Sequence, residues 1–428
     1  MMPGTSSAAP SRNEHGGERR ILFFTCAAHA LTHVYMVIYS AVLGQMNRDF
    51  GTDIHGYATI SVFLFGMGSL PASLLGEKIG EKKLLVGFFF LSAAGGTCVG
   101  LAHGTLALAL GMTLLGLGTS IFHPVGNTLI AKGIQAPGRA MGINGLWGSI
   151  GEAIGPILAG SLAAWLGSWR GSYLILTIPS VTLGLALALS KLGLEGTRRD
   201  TGAGVRGSRG AALKSAPLAM ISLLLLAMMF GGFQFWIVKT ALPELVGANT
   251  SSGLLPASFQ SPELRGAALT SLMYLVGGVG QMLAGHVVDR RDGRGVYALI
   301  FLASIPLMLL TAILTDLPLL VAGSLMALLM FSAQPIENAL LARLAPPALK
   351  SWLFGLKFTL AFGVGGLGVK LCGVVKHSGG LAATLQVAAA FTGAALVCAV
   401  LALTVKRQRT GEPEAAASKT SVKAASDP

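Results

Sequence analysis

Twelve apolar runs, each about 20 residues long and so able to cross roughly 30 Å of hydrocarbon as a helix, leave this chain little choice of environment. They lie near residues 21–45, 56–76, 82–102, 105–132, 140–166 and 170–191, then near 216–243, 266–288, 295–315, 317–343, 350–375 and 381–405. With 53% hydrophobic and only 11% charged residues among 428, the chain is too apolar to fold in water, and an all-α polytopic membrane protein is expected. The 58 glycines would weaken soluble helices but suit membrane helices packed backbone to backbone. Cys26, Cys98, Cys372 and Cys398 all sit inside apolar runs without metal-type spacing and read as packing residues.

The runs divide six and six. Residues 21–192 and 216–405 form two expected six-helix bundles, joined by a Gly- and Arg-rich connector at 193–215. Residues 1–20 and 406–428 are polar and read as disordered tails, the first lacking the apolar core of a secretory signal. An internal repeat supports the division: TSIFHPVGNTLIAK (Thr119 to Lys132) returns as SAQPIENALLAR (Ser332 to Arg343). Pro124 matches Pro335, Asn127 matches Asn338 and Lys132 matches Arg343 at one constant offset, the mark of two related halves. Each copy holds a polar group, His123 or Glu337, that lipid would penalise, so a shared polar interior is expected.

The net charge of +13 must be read by position. If the N-terminus is cytoplasmic, 24 of the 31 Lys and Arg fall on the inner side, four outside (Arg48, Arg170, Arg265, Lys376) and three within spans (Lys239, Lys357, Lys370). That is the positive-inside pattern, with both termini inside a plasma membrane, here a bacterial inner membrane. The charge thus faces anionic lipid, and no nucleic-acid partner is expected.

Between the second and third runs stands SLLGEKIGEKK (Ser73 to Lys83), and GHVVDRRDGR (Gly285 to Arg294) stands at the matching place in the second half. Glu77, Lys78, Gly80 and Lys82 in the first copy, and Gly285, Asp289, Arg290, Gly293 and Arg294 in the second, resemble the loop motif of the major facilitator superfamily. The resemblance implies two pseudo-symmetric six-helix bundles that rock about a central site, with these residues as a gate. In physical terms, an acid at a helix end pairs with a base and a neighbouring helix terminus, a contact that must break on opening. The fifth run carries Gly148, Gly151, Gly155, Pro156 and Gly160 in GSIGEAIGPILAG, with the first three glycines on one packing face. That string is similar to the superfamily's antiporter motif and implies proton-coupled efflux.

Glu152 lies within the same string, about 20 Å from the basic boundary at Arg139, and an unpaired carboxylate there is the first candidate for proton coupling. Glu337 and His33 are the others; an ion pair between Glu152 and a buried lysine is the alternative. On the first run His29 and His33 share a face, with Tyr35 beyond them. Together with Phe122-His123-Pro124 on the fourth run, they resemble the fosmidomycin-resistance efflux branch of the superfamily, His33 standing where that branch has Asp. Two histidines at i and i+4 with a third on another helix can also hold a metal. No cysteine or acid joins them in sequence, so the expectation is a polar or proton-relay surface, with no metal and no cofactor.

In the second half Lys239 aligns with Tyr39 and Phe235 with Tyr35, while Lys357 and Glu337 lie at similar depth and can pair. Free lysines would suit an organic anion; a closed pair would leave little charge for one. The candidate solute-binding set is His29, His33, Tyr35, His123, Asn127, Trp147, Phe235, Lys239, Asn338 and Lys357. No nucleophile with a base at catalytic spacing and no phosphate-cradling loop points to an enzyme. The function expected is secondary transport of a small organic solute by proton antiport, with proton symport of an organic anion as the alternative and a channel or membrane enzyme as the reading from another class. The expected partners are that solute, protons and the lipid bilayer, with the chain taken as a monomer.

Overall fold

The computed structural model describes residues 12–52, 54–192, 216–254, 256 and 261–405; the connector at 193–215 and the tails at 1–11 and 406–428 lie outside them. The described residues are almost wholly helical. The first half comprises α1 (Arg12–Phe50), α2 (Ala58–Met67), α3 (Ser69–Ile79), α4 (Glu81–Gly100), α5 (Thr105–Gly133), α6 (Pro137–Trp165) and α7 (Trp169–Leu189). The second comprises α8 (Leu218–Asn249), α9 (Pro262–Arg290), α10 (Gly293–Ile313), α11 (Asp316–Leu344), α12 (Lys350–Phe358), a π-turn at Thr359–Val364 and α13 (Leu367–Thr404).

Among the described residues nine helical stretches are long and apolar enough to cross a membrane, and α2 with α3, bent by 53° at Gly68, make a tenth. One of the nine runs from Pro347 to Thr404, and Gly380, with φ of 78°, divides it into two crossings because only glycine enters that region without strain. Helix α6 is the twelfth crossing: its 29 residues suffice in length, but its glycines and buried polar groups lower its apolarity. The repeat is visible in the architecture, since α5 and α11 both have 29 residues and their bounds keep the same offset as the matched sequences.

Two six-helix bundles result, packed against each other. In the first, α1 packs on α5 and α6, and α4 on α5 and α7; in the second, α8 packs on α9 and α13, and α10 on α11 and α13. Between bundles the main contact is α6 against α9, with α3 against α12 and α2 against the π-turn. This interface is built on missing side chains: a Cβ on Gly142 would meet the Gln281 carbonyl at 2.6 Å, and one on Gly285 would meet Gly142 Cα at 3.0 Å. Helices lacking a Cβ at the crossing can bring their backbones together, which is how membrane helices gain dispersion contact without a hydrophobic drive.

The ends of the bundle differ. At the end bearing Gly80, Ile134, Asp292 and Ala345, here the basic face, a single apolar cluster takes residues from both halves, Phe24, Leu85 and Leu129 beside Met220, Tyr297 and Phe354. Toward the opposite face one cluster, around Tyr39 and Trp169, lies within the first half, while the other, around Leu242 and Met326, belongs to the second half but takes in Phe65 of the first. Apolar packing between the halves is thus broad at the basic face and narrows to Phe65 and its neighbours away from it. The expected tail at 12–20 is instead the first turns of α1, which are held because the Glu18 carboxylate accepts from Gln135 N at 2.8 Å and the Arg20 guanidinium donates to the Lys191 carbonyl.

Gly285→Val should drive a wedge between α9 and α6, against a repacking cost of about 1–3 kcal/mol. The check is the rate at which an impermeant maleimide labels Ser73→Cys, a position now 2% exposed, in a cysteine-free background. A faster rate than in the Gly285 parent is expected.

Candidate functional site

Halfway through the bundle two small adjoining cavities share Phe235, Gln334 and Phe362 as common walls. The first is lined from both halves, by His29, His33 and Met36 of α1, His123 of α5, Ser149 and Glu152 of α6, Lys239 of α8 and Gln281 of α9. Phe65, Trp236 and Phe331 narrow it. His123 and Gln334 stand at the same offset as the repeated prolines, so the pseudo-symmetry delivers one polar side chain from each half to one place.

The decisive contact is electrostatic. Lys239 Nζ lies 2.6 Å from Glu152 Oε1, a charge contact between halves and off the line of a directed hydrogen bond. His33 Nδ1 lies 3.8 Å from the other carboxylate oxygen. The expected unpaired Glu152 is thus corrected: a buried carboxylate unmatched in lipid costs several kcal/mol, and the α8 lysine removes that cost. Away from the carboxylate, Lys239 has aromatic faces, with Phe235 and Trp236 ring centres at 5.7 and 5.3 Å. Beside this, Gln281 Nε2 donates across the interface to the Gly145 carbonyl at 3.1 Å and to Ser149 Oγ at 2.9 Å.

The second cavity belongs to the C-terminal half. There Lys357 Nζ lies 3.1 Å from Glu337 Oε2 and donates to Asn338 Oδ1 at 2.6 Å, while Tyr297 OH donates to Glu337 Oε1 at 2.7 Å. Neither lysine is free for an anion. Lys357 is 2% exposed, and its neutralisation by a neighbouring helix is what lets α12 carry it.

The histidines converge. His29, His33 and His123 each bring a ring nitrogen within 4.8 Å of the others, with His29 Nε2 3.2 Å from His33 Nε2. His29 Nδ1 lies 2.7 Å from the Asn144 carbonyl, which can only accept, so that nitrogen carries the proton. Room for the ring comes from Gly148, where a Cβ would lie 2.5 Å from the imidazole.

Other expected residues lie elsewhere. Tyr35 OH donates to the Leu176 carbonyl at 2.9 Å and meets Ser180 Oγ at 2.9 Å, inside the first bundle and away from either cavity. Asn127 donates to the His123 carbonyl at 2.8 Å and is spent within its own helix. Trp147 is 45% exposed on the outer surface, because one residue from Gly148 turns a side chain by about 100° from α1 toward lipid. Ser149, Gln281 and Gln334 line the first cavity, though no sequence argument named them; Gln334 was within reach, standing in the repeat where His123 stands.

Near the basic face the two loop motifs do different things. Asp289 accepts from Gly138 N at 3.1 Å and Arg139 N at 2.7 Å, capping α6 of the other half, and Arg343 donates to it at 3.0 Å. A carboxylate at a helix N-terminus meets unpaired N–H groups and the positive end of the helix dipole. In the first copy Lys82 binds the Ala188 carbonyl at the end of α7 at 3.0 Å, and Glu81 pairs with Lys132 within one half. Glu77 lies partly buried on α3, and Gly80, with φ of 95°, turns the chain into α4. Arg294 folds back on Asp292 at 2.8 Å, Gly293 abuts Val288, and Lys78 and Arg290 are exposed. Of the fifth-run glycines, Gly151 fits against Ala30 and Gly155 against Val34 and Val37 of α1, Gly160 has open space beside it, and Pro156 is half-buried.

The profile of the Major Facilitator Superfamily matches residues 23–366, four-fifths of the chain. The chain belongs to that superfamily. No curated protein matches its sequence. Among solved structures, this superfamily member resembles the E. coli fucose:proton symporter FucP (TM-score 0.70, 15% identity, covering 90% of this chain and 99% of that one). It also resembles the human organic anion transporter TETRAN (0.68, 15%, 90% and 99%) and the proton:xylose symporter XylE (0.68, 13%, 91% and 95%). At such identities the likeness is one of fold, and the chain is a multi-pass transporter by membership in the superfamily.

Glu152→Gln or Lys239→Met alone should destabilise the protein by up to about 3–5 kcal/mol, because each leaves a buried partner unmatched. The double variant should recover most of the loss. Denaturation midpoints in a double-mutant cycle measure the coupling; additive losses would mean that the two groups do not interact.

Proposed function

We propose that this chain is a proton-coupled secondary transporter that exports a small organic solute by antiport, binding it in the cavity between the halves. The observation that carries this reading is the Lys239 to Glu152 contact of 2.6 Å, a neutral charge pair bridging the two bundles inside that cavity. A solute entering there must interpose between or rearrange these groups, which links its binding to the relation between the halves. The basic face is assigned to the cytoplasm by the positive-inside rule, with both termini there and the chain in a bacterial inner membrane. On that assignment the face with the broad apolar contact between the halves is cytoplasmic.

The proton is assigned to Glu337. Protonation there removes the charge that matches Lys357 and leaves that lysine with the neutral Asn338 acceptor, while the Tyr297 hydroxyl can donate or accept, so the charge state of Glu337 acts on how α12 is held. Lys357 stands two residues before the π-turn, where Gly363 abuts Gly66 of α2 and Thr359 accepts from Leu70 N at 3.2 Å. A change at Glu337 thereby reaches a contact between the halves. Glu152 and His33, the earlier candidates for the proton, are given instead to the charge contact at the interface.

Export is supported by the glycine face of α6 on α1 and by the His29 and Phe122-His123-Pro124 pattern, which resemble antiporter and fosmidomycin-resistance sequences. Symport of an organic anion is the second reading; Lys239 lines the first cavity, and the anion would have to displace Glu152 from it. Counterflow in proteoliposomes with a panel of small organic solutes tests all of these. Trans-stimulation identifies a carrier; under an imposed pH gradient antiport accumulates solute on the more acidic side and symport on the more alkaline. Glu337→Gln should abolish gradient-driven accumulation and retain exchange, and unchanged accumulation would remove Glu337 from the coupling.

A further inference from the structure

The three imidazoles next to the solute cavity are more than a polar lining. We infer that His29, His33 and His123 form a binding site for one divalent transition-metal ion of the kind that favours imidazole, such as Zn²⁺ or Co²⁺.

Geometry comes first. At a metal–nitrogen distance of 2.0–2.1 Å, two nitrogens in a tetrahedral shell stand about 3.3 Å apart. His29 Nε2 and His33 Nε2 stand 3.2 Å apart, and the His123 nitrogen completes a triangle within 4.8 Å. His29 and His33 share one face of α1, and His123 comes from α5, packed against it, so two helices set the triangle without a loop.

The outer contacts point the same way. A ligating histidine usually donates its other N–H to a carbonyl or carboxylate, which fixes the tautomer and turns the lone pair to the metal. His29 Nδ1 is held by the Asn144 carbonyl at 2.7 Å, so Nε2 is the bare nitrogen; it accepts from His33 Nε2 at 3.2 Å, and a metal ion would take the place of that shared proton. His33 Nδ1 faces Glu152 Oε2 at 3.8 Å, so a small rotation gives it the same arrangement with a carboxylate.

His123 supplies the independent observation. Its Nε2 is buried without a hydrogen-bond partner among the described residues, in a side chain 4% exposed. Phe65, Phe122, Phe358 and Phe362 surround it, with ring centres 5.0 to 5.4 Å away. Leaving a buried polar nitrogen unsatisfied costs about 1–3 kcal/mol, a cost that an ion bound there would remove.

The charge balance is local. Glu152 now shares its carboxylate between Lys239 and His33, and a bound dication makes His33 the stronger donor and repels Lys239 toward the cavity. Metal binding and the contact between halves therefore compete for one carboxylate. This inference does not depend on proton coupling or on direction of transport, since binding to the purified protein needs no gradient.

The test is Co²⁺ titration of the full chain in detergent, freed of any polyhistidine tag, followed by the visible bands of the bound ion and by competition with Zn²⁺. One saturating equivalent is expected. His123→Gln and His33→Gln, each checked for unaltered helix content and elution, should abolish the bands, and Glu152→Gln should weaken affinity about 10- to 100-fold as the loss of an outer contact does. Absence of saturable binding by the parent protein overturns the site. So does binding of unchanged affinity in both histidine variants, which would put the ion elsewhere on the chain.

Discussion

A charge held at mid-membrane must meet an opposite charge close enough to replace the water it has lost. The structure answers that demand twice and in two ways. Glu337 and Lys357 are matched within the C-terminal half, and their pairing can persist whatever the halves do. Glu152 and Lys239 are matched across the interface, 2.6 Å apart, so that any relative motion of the bundles there is an electrostatic event. The low dielectric that makes an unmatched charge costly makes this contact decisive for which conformations are accessible.

Close approach of backbones makes such a contact possible. Helices α6 and α9 cross through Gly138, Gly142 and Gly285, and the same crossing carries the Gln281 donor and, one turn further toward the basic face, the Asp289 cap on α6. Small residues bring the helices together, and polar groups then fix their register. At the basic face this arrangement is joined by a large apolar cluster that draws on both halves. Toward the opposite face Arg170 with Asp49 and Lys376 with Glu244 pair inside their own halves, and nothing in these contacts obstructs separation there.

The histidine triangle and the cross-half ion pair share Glu152, which makes them one electrostatic unit. Gly148 links the packing to this unit as well: the missing side chain that lets α1 lie against α6 also makes space for the His29 ring. A glycine string that reads in sequence as helix packing thus also shapes a polar site. Beside it, irregular backbone in α2–α3 at Gly68 and in the π-turn after α12 meets across the interface, where neighbouring helices satisfy the backbone groups that lipid could not.

What the sequence determined alone was the number and place of the crossings, the two-fold repeat, the basic side and the presence of acids, lysines and histidines inside apolar runs. These are local or additive properties: run length against bilayer thickness, loop charge against anionic lipid, and one offset that α5 and α11 keep in their bounds. Tertiary structure decided how each helix is turned about its axis and which neighbour it meets. Trp147 and Gly148 are adjacent in sequence, yet one faces outward and the other holds a histidine ring. Tyr35 lies two residues beyond His33 and is buried against α7 rather than in the cavity. Glu152 was legible as a deep carboxylate that a buried lysine could meet, but not that Lys239 is that lysine, and His29 with His33 was legible as a pair that a third histidine could join, but not that His123 stands close enough to do so. Rotation and pairing depend on packing among distant segments of the chain, and no span carries that information within its own residues.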